Sequence, residues 1–460
     1  MRVAVVVLVV LLAGAGAARP ARAAEGKAEP CVGCLRAGAA SATLSLPEGT
    51  PLAGYGTLAR RLAIPDLFDR YPHAFWFKPH QGRLDPLAAR ALVLESGGVR
   101  LVWITVDLIA VDREFTDAVT ARLGTGRATP AVVISASHTH SGPGAFVDSA
   151  LLGFLAVDRQ DLEVRRALVD GIVATVERAA DRLAPARLGV GAVDAPPVTV
   201  GRLAPAPDPE MIVVKVVSST GTPIALVWNY AIHGTMLGPR NLALSGDVMG
   251  VASWALEREL GVPALFVNGA EGDVSPRGHG QAAALAVGRE LATTARRAWS
   301  RIEPSSDGAL RIKSARITLG PAALSMRRCV GRVMPPWLAL PLGRAFPTDA
   351  VLTAGSIGPA AWVTIPGELA SALGRRIKDV GRDERVRSPA RPASPPFVAG
   401  LSNDYLGYFL EPDAYGGASY PACASVYGPS TGVEIVRAAS SLLRDLGDQG
   451  VNTRPPRGSR

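Results

Sequence analysis

The sequence predicts an α/β fold: a single large domain around a mixed, partly antiparallel sheet, with active-site loops at the strand carboxyl ends. Three observations carry that prediction. Short runs of Val, Ile, Leu and Ala, such as 131–136, 224–229 and 264–267, are too continuously apolar for half-solvated strands and read as strands buried on both faces. Between them lie longer stretches with helical spacing, at 161–183, 248–260 and 282–299. The connections include both strand–helix crossovers and hairpin turns, so the strands cannot all be parallel.

In chain order, a loop-rich opening gives way to strands at 91–95 and 101–107, joined by the turn Ser96-Gly97-Gly98. A short helix is expected over 115–123 and a strand over 131–136. The 161–183 helix has an acidic start and ends before Pro185. Strands at 211–217 and 224–229 flank Gly221-Thr222-Pro223; a helix over 248–260 stops at Gly261, followed by the 264–267 strand and the 282–299 helix. Strands are expected at 310–319 and 361–365 and helices at 368–380 and 433–446, with irregular Pro- and Arg-rich stretches at 333–348 and 386–397. Residues 448–460 read as a disordered tail.

The chain of 460 residues is 48% hydrophobic and 19% charged, which excludes a disordered protein. Met1-Arg2, an apolar run over 3–18 and the Ala-rich stretch after it form a secretory signal peptide, expected at 1–23 with cleavage after Ala23 or Ala24. The domain then covers 24–447, and the protein is expected to be secreted or periplasmic. The apolar run is short of the ~20 residues of a spanning helix. Removing Arg2, Arg19 and Arg22 leaves 46 basic against 40 acidic residues, scattered without a Lys-rich run. That balance reads as a solvated surface suited to an anionic membrane, with no nucleic-acid signature. Cys31, Cys34, Cys329 and Cys423 are even in number, and in an exported chain they read as structural disulfides whose pairing the sequence leaves open.

The chemistry-bearing residues collect just past strand ends, where ligands bind in α/β sheets. The 131–136 run leads into Ser137-His138-Thr139-His140-Ser141, the 224–229 run into Ile232-His233-Gly234-Thr235, and the 264–267 run into Glu271-Gly272-Asp273-Val274-Ser275-Pro276. The 361–365 run leads into Pro366-Gly367-Glu368. In extended backbone His138 and His140 point to the same side, so two imidazoles, a distant third and a Glu make a ligand set for catalytic zinc with a position left open. The competing reading is that these histidines cap strand ends or bind loop carbonyls. His73, His80 and His279 lack such context and read as surface or packing residues. No His-Glu-x-x-His helix, Gly-x-Ser-x-Gly elbow, Walker loop or dinucleotide fingerprint is present.

On these residues the chain resembles the neutral/alkaline (non-lysosomal) ceramidase family over its catalytic domain. Ser135-Ala136-Ser137-His138-Thr139-His140-Ser141-Gly142-Pro143 resembles the family's zinc-site signature, and Gly272-Asp273-Val274-Ser275-Pro276 its active-site serine loop. Ile232-His233-Gly234-Thr235 with Ser245-Gly246-Asp247, Pro366-Gly367-Glu368 and Tyr427-Gly428-Pro429 resemble three further family segments. The resemblance implies Zn2+ as cofactor, held by His138, His233, Glu368 and a tyrosine, Tyr408 or alternatively Tyr405. It implies His140, Arg202, Tyr415 and Ser275 as catalytic residues. Ser275 either attacks directly or orients substrate while water attacks.

Three departures bear on the substrate more than on the chemistry. The chain ends too early for the family's C-terminal β-sandwich, the segment between Tyr408 and Tyr415 is short, and Arg277 replaces an Asn after Ser-Pro. The implied function is an exported zinc amidohydrolase that cleaves the N-acyl amide of ceramide to a fatty acid and a sphingoid base. The alternatives are a zinc hydrolase of another acyl amide or ester, or a non-catalytic lipid- or metal-binding protein. The partner is a lipid-like small molecule; the apolar 333–342 stretch reads either as a peripheral membrane contact or as a loop packed on the domain's own core, and oligomeric state is not legible.

Overall fold

Strands apolar on both faces must be covered on both faces, and the computed structural model shows by what. It describes residues 34–124, 130–203, 206–343, 346–386 and 396–448, with side chains omitted at 384–386 and 447–448, all within one compact unit. The expected signal segment, Cys31 and the tail beyond Asp448 lie outside the described residues.

The strands β1 (Arg36–Thr43), β2 (Ala88–Ser96), β3 (Val99–Val106) and β4 (Ala131–Ala136) form half of a large sheet. The other half is β5 (Ala184–Asp194), β6 (Glu210–Ser218), β7 (Pro223–Tyr230) and β8 (Ala264–Asn268). Their order is β4-β3-β2-β1-β5-β6-β7-β8, antiparallel except for the parallel pairs β3–β4 and β7–β8 at its two ends. A second sheet of β9 (Leu310–Thr318), β10 (Asp349–Ile357), β11 (Ala360–Thr364) and β12 (Phe397–Ala399) packs beneath it. The mixed α/β class expected from the sequence is the class observed.

Period-two alternation assigns each side chain to a layer. On β2, Ala91 and Val93 pack with the helices α1 (Arg113–Leu123) and α2 (Leu162–Ala180), whereas Leu92 and Leu94 face the second sheet. On β7, Leu226 and Trp228 meet α3 (Asp247–Leu260) and α4 (Gln281–Arg301), while Ala225 and Val227 join Trp103, Trp362 and Phe397 between the sheets. The outer face of the second sheet is covered by α5 (Ser371–Val386) and α6 (Thr431–Asp448). The result is four layers: helices, the large sheet, the second sheet, helices.

Although β4 and β8 are the two ends of the strand order, their exits meet. Between them lies the segment after β12. Ala136 N donates to Leu401 O (3.1 Å), Asn403 N to Ile134 O (2.9 Å) and Gly400 N to Asn268 O (3.0 Å). Asn403 adds a side-chain acceptor for Ile134 N (2.7 Å) and a donor to Val132 O (3.0 Å). Residues 400–403 therefore stitch the two edges of the curled sheet together.

Several elements differ from expectation. The opening contains β1, whose run Arg-Ala-Gly-Ala-Ala-Ser-Ala-Thr has no large side chain to betray a strand. β5 starts where the 161–183 helix was expected to end, and β10 occupies residues given no element. Glu368 does not open a helix: Glu368–Leu369 pairs in parallel with Tyr408–Phe409, and α5 begins at Ser371. Cys329 and Cys423 form a disulfide, and Cys34 is disulfide-bonded too, as expected for an oxidising compartment.

Candidate metal centre

Each histidine is delivered by the turn that ends a parallel strand. His138 follows β4 with φ 68°, a left-handed conformation rare outside glycine. It is held there by its own N–H on Leu108 O (2.9 Å) and by Nδ1, 2.7 Å from Ile109 O. With that proton on Nδ1, the Nε2 lone pair points into the site. His140 repeats the arrangement, Nδ1 lying 3.0 Å from Gly54 O. His233 follows β7, and its loop is bound to the His138 loop by the bridge Thr139–Gly234. Gly234 is required by that approach: a Cβ there would lie 2.5 Å from His138 O and 2.7 Å from Thr139 Cα.

The ligand atoms of His138, His140 and His233 all lie within 4.8 Å of one another. The pairing of Glu368 with Tyr408 brings the remaining expected ligands to the same point. Glu368 Oε2 stands 3.0 Å from His233 Nε2 and 3.5 Å from His138 Nε2. Tyr408 Oη lies 3.3 Å from His233 Nε2, and Tyr405 donates to Glu368 Oε1 at 2.7 Å. Tyr405 thus orients the carboxylate while Tyr408 faces an imidazole. His138, His233, Glu368 and Tyr408 are buried, yet His138 Nε2 and His140 Nε2 lack a hydrogen-bond partner, as does Glu368 Oε2. Converging imidazole nitrogens and a carboxylate with unused lone pairs fit a bound metal cation.

The electrostatics agree. Burial, reinforced by Arg202, pushes the His233 imidazole down to about 4, and burial with the neighbouring imidazoles holds His140 well below its usual range. Both stay neutral, as metal ligation needs. Burial works to raise Glu368, but His138 and His233 hold it well below the carboxylate range. Tyr405 and Tyr408 are raised well above theirs by burial and by the charge of Glu368.

At the mouth stand the half-buried His140, Arg202 and Ser275. A two-strand ladder, Thr199–Gly201 against Val274–Pro276, sets the last two against each other: Arg202 Nε donates to Ser275 Oγ at 2.7 Å, and Arg202 N to Asp273 O at 2.6 Å. Tyr415 belongs to the same apolar cluster as Tyr408. It packs among the residues under α5 and α6 with Arg328 over its ring at 4.4 Å, and has no hydrogen bond or ring contact to the histidines among the described residues. Tyr420, which the sequence reading passed over, lies edge-on to Tyr408 with ring centroids 5.8 Å apart.

Two further residues have surroundings that no sequence pattern assigned. Asn268, fully buried at the end of β8, donates to Ser137 O (3.1 Å) and Ile232 O (2.9 Å), the carbonyls just before His138 and His233. Its only signal is an amide side chain ending an apolar strand. Glu271 is fully buried with neither carboxylate oxygen partnered, and burial together with Glu368 raises it well above the carboxylate range.

Residues 79–290 match the family described as "Neutral/alkaline non-lysosomal ceramidase, N-terminal", a span that holds the histidines, Arg202 and Ser275. Among curated proteins the chain is 32% identical over 212 residues to a neutral ceramidase of Pseudomonas aeruginosa, covering 41% of this chain and 31% of that protein. It is 22% identical over 485 aligned positions to a neutral ceramidase of Drosophila pseudoobscura pseudoobscura, covering 75% of this chain and 67% of that one. The match to the Pseudomonas protein thus spans under a third of its length. The crystal structure of neutral ceramidase from Pseudomonas aeruginosa shares the fold with a TM-score of 0.77 at 21% identity, over 91% of this chain and 75% of that one. A structure described as a ceramidase complexed with C2 does so equally, at 0.77 and 21%, over 93% and 77%. Residues 79–290 thus match the neutral/alkaline non-lysosomal ceramidase N-terminal family model, within a fold that the Pseudomonas neutral ceramidase shares over most of this chain.

Proposed function

We propose that this protein is an exported zinc-dependent amidohydrolase that releases the fatty acid from ceramide or a closely related N-acyl lipid. The observation that carries this is the graded site: a buried floor of His138, His233, Glu368 and Tyr408 with unused lone pairs, below a mouth of His140, Arg202 and Ser275. The ceramidases of the same fold, one of them complexed with C2, support the substrate class. The N-terminal signal pattern supports export, and no described helix is long and apolar enough to cross a membrane.

His138, His233, Glu368 and Tyr408 would hold the zinc, with Tyr405 fixing the Glu368 carboxylate by its 2.7 Å bond. Zinc supplies Lewis acidity toward an acyl carbonyl and acidifies water. His140, neutral and with its buried Nε2 unpartnered, accepts the proton of the attacking hydroxyl or water and returns it to the departing amine. Arg202 is a fixed cation beside the reacting carbonyl, where negative charge develops. Its bond to Ser275 Oγ also stabilises negative charge on that oxygen, which serves either a nucleophilic or an orienting serine. The apolar lobe at 333–342, with Val333 and Trp337 exposed, serves as the membrane-facing rim.

The test is fatty-acid release from a short-chain ceramide by the mature protein, zinc-loaded and chelated in parallel, beside His138→Ala. Zinc-dependent turnover lost in the variant, together with its bound zinc, is expected. Turnover that survives chelation overturns the metal chemistry, and zinc-loaded protein inert on ceramide but active on other acyl amides overturns the substrate.

A further inference from the structure

The resemblance accounts for one carboxylate at the site, Glu368, but a second stands beside it. Glu271 lies in the loop that leaves β8 toward Ser275 and is completely shielded from solvent. Neither carboxylate oxygen has a hydrogen-bond partner, and no described Lys or Arg forms an ion pair with it. Buried carboxylates are ordinarily paired, bound to a metal or driven to protonate, because the desolvation cost is otherwise prohibitive.

Its surroundings point to one of these. The strongest charged neighbour of Glu271 is Glu368, followed by Arg202, and Tyr405, which donates to Glu368, feels both carboxylates. The loop rests on the backbone that carries Glu368: Gly272 N donates to Leu369 O at 2.9 Å, and a Cβ on Gly272 would stand 2.6 Å from Glu368 O. Across the stitched edge, a Cβ on Gly400 would stand 2.9 Å from Glu271 Oε2, so glycine at 400 leaves room for the carboxylate. A structural acid would be expected to accept backbone N–H groups, as Asp158 does from Phe75, Trp76 and Phe77. Glu271 accepts none from any other described residue.

We propose that Glu271 is a second carboxylate of the metal centre, facing Glu368 and balancing the charge of the bound divalent cation. Two carboxylates against one divalent cation make the buried site neutral, whereas Glu368 alone leaves it with a net positive charge beside Arg202. This rests on the metal-centre reading above and adds a residue that the resemblance does not assign.

The experiment measures zinc affinity by chelator competition, and the zinc-induced rise in Tm, for the parent, Glu271→Gln and Glu271→Leu. Outer carboxylates of metal sites typically contribute about 10–100-fold in affinity, and a loss of that size with a smaller Tm rise is expected for both variants. The metal-free variants should unfold no earlier than the metal-free parent, since an uncompensated buried acid is gone. Unchanged zinc affinity in either folded variant overturns the assignment while leaving the metal centre intact. So does failure of both variants to fold, which would place Glu271 in the structural core. A parent that takes up no zinc overturns the metal centre and this inference together.

Discussion

Asn268 shows how much of the site is carried by residues that touch no ligand. Its amide holds the carbonyls of Ser137 and Ile232, so the turns bearing His138 and His233 are fixed to each other through one buried side chain. The histidines themselves were legible because they follow apolar runs, although His138 leaves its strand in a left-handed turn instead of continuing the strand period. The roles of Asn268 and Glu271 were not, because they depend on contacts between distant segments. Beneath the His138 turn lies Asp85, whose carboxylate accepts from Ser245 Oγ and Gly246 N, while Ser245 O accepts from Thr139 Oγ1. Burial raises Asp85 from 3.8 to about 6. Between those values the folded chain holds a proton that the unfolded chain has lost. The stability this contributes is therefore complete below pH 3.8 and is lost as pH rises through 6. Relative to Asp85→Asn, the parent should lose up to about 3 kcal/mol between pH 4 and 7.5, by urea unfolding at each pH. Parallel curves for the two proteins would show that Asp85 does not carry a raised pKa.

At the scale of elements, long helices and buried strands were readable from their periods, but short pairings were not. The ladder that sets Arg202 against Ser275 is three residues a side, and the one that joins Glu368 to Tyr408 is two. Neither leaves a pattern in the sequence, and the second is why a helix expected from Glu368 begins instead at Ser371. The apolar lobe is another such unit. A short ladder, Ala323–Ser325 with Ala339–Pro341, projects Val333 and Trp337 outward at 84% and 78% exposure. The Cys329–Cys423 disulfide ties it to the short helix Tyr420–Cys423, whose Tyr420 meets Tyr408. Arg327, Arg328 and Arg332 give the lobe the charge that suits anionic lipid. Trp337→Ser should therefore weaken binding to phosphatidylglycerol vesicles roughly tenfold, about 1.4 kcal/mol, in a sedimentation assay. Equal binding by parent and variant would move the membrane contact away from this lobe.

For the molecule as a whole, the decisive feature is that an open sheet brings its two ends together. His138 follows one end strand, and His233 and Glu271 follow the last two strands at the other. They share a site because the sheet curls, residues 400–403 fill the seam, and Asn268 and the Thr139–Gly234 bridge tie the exits together. The strand ends converge, but from opposite ends of the sheet, and the agent of convergence lies over 260 residues from β4, where local pattern does not reveal it. Asn403 is its centre, with φ 66° and both amide atoms engaged on the edge of β4. Asn403→Ala removes an acceptor from Ile134 N and a donor from Val132 O, and puts a less tolerant residue in a left-handed conformation. Together these should destabilise the protein by about 2–4 kcal/mol. Because Glu368 and Tyr405 flank this seam while the histidines are reached from the strands, zinc affinity should fall with stability. Asn403→Asp keeps the acceptor and the backbone preference, so it should recover part of the loss. Urea unfolding with zinc titration of the two variants decides it. A drop in stability with unchanged zinc affinity would mean that the edges are held at the site by the loops alone, and that the seam supports the fold without shaping the metal centre.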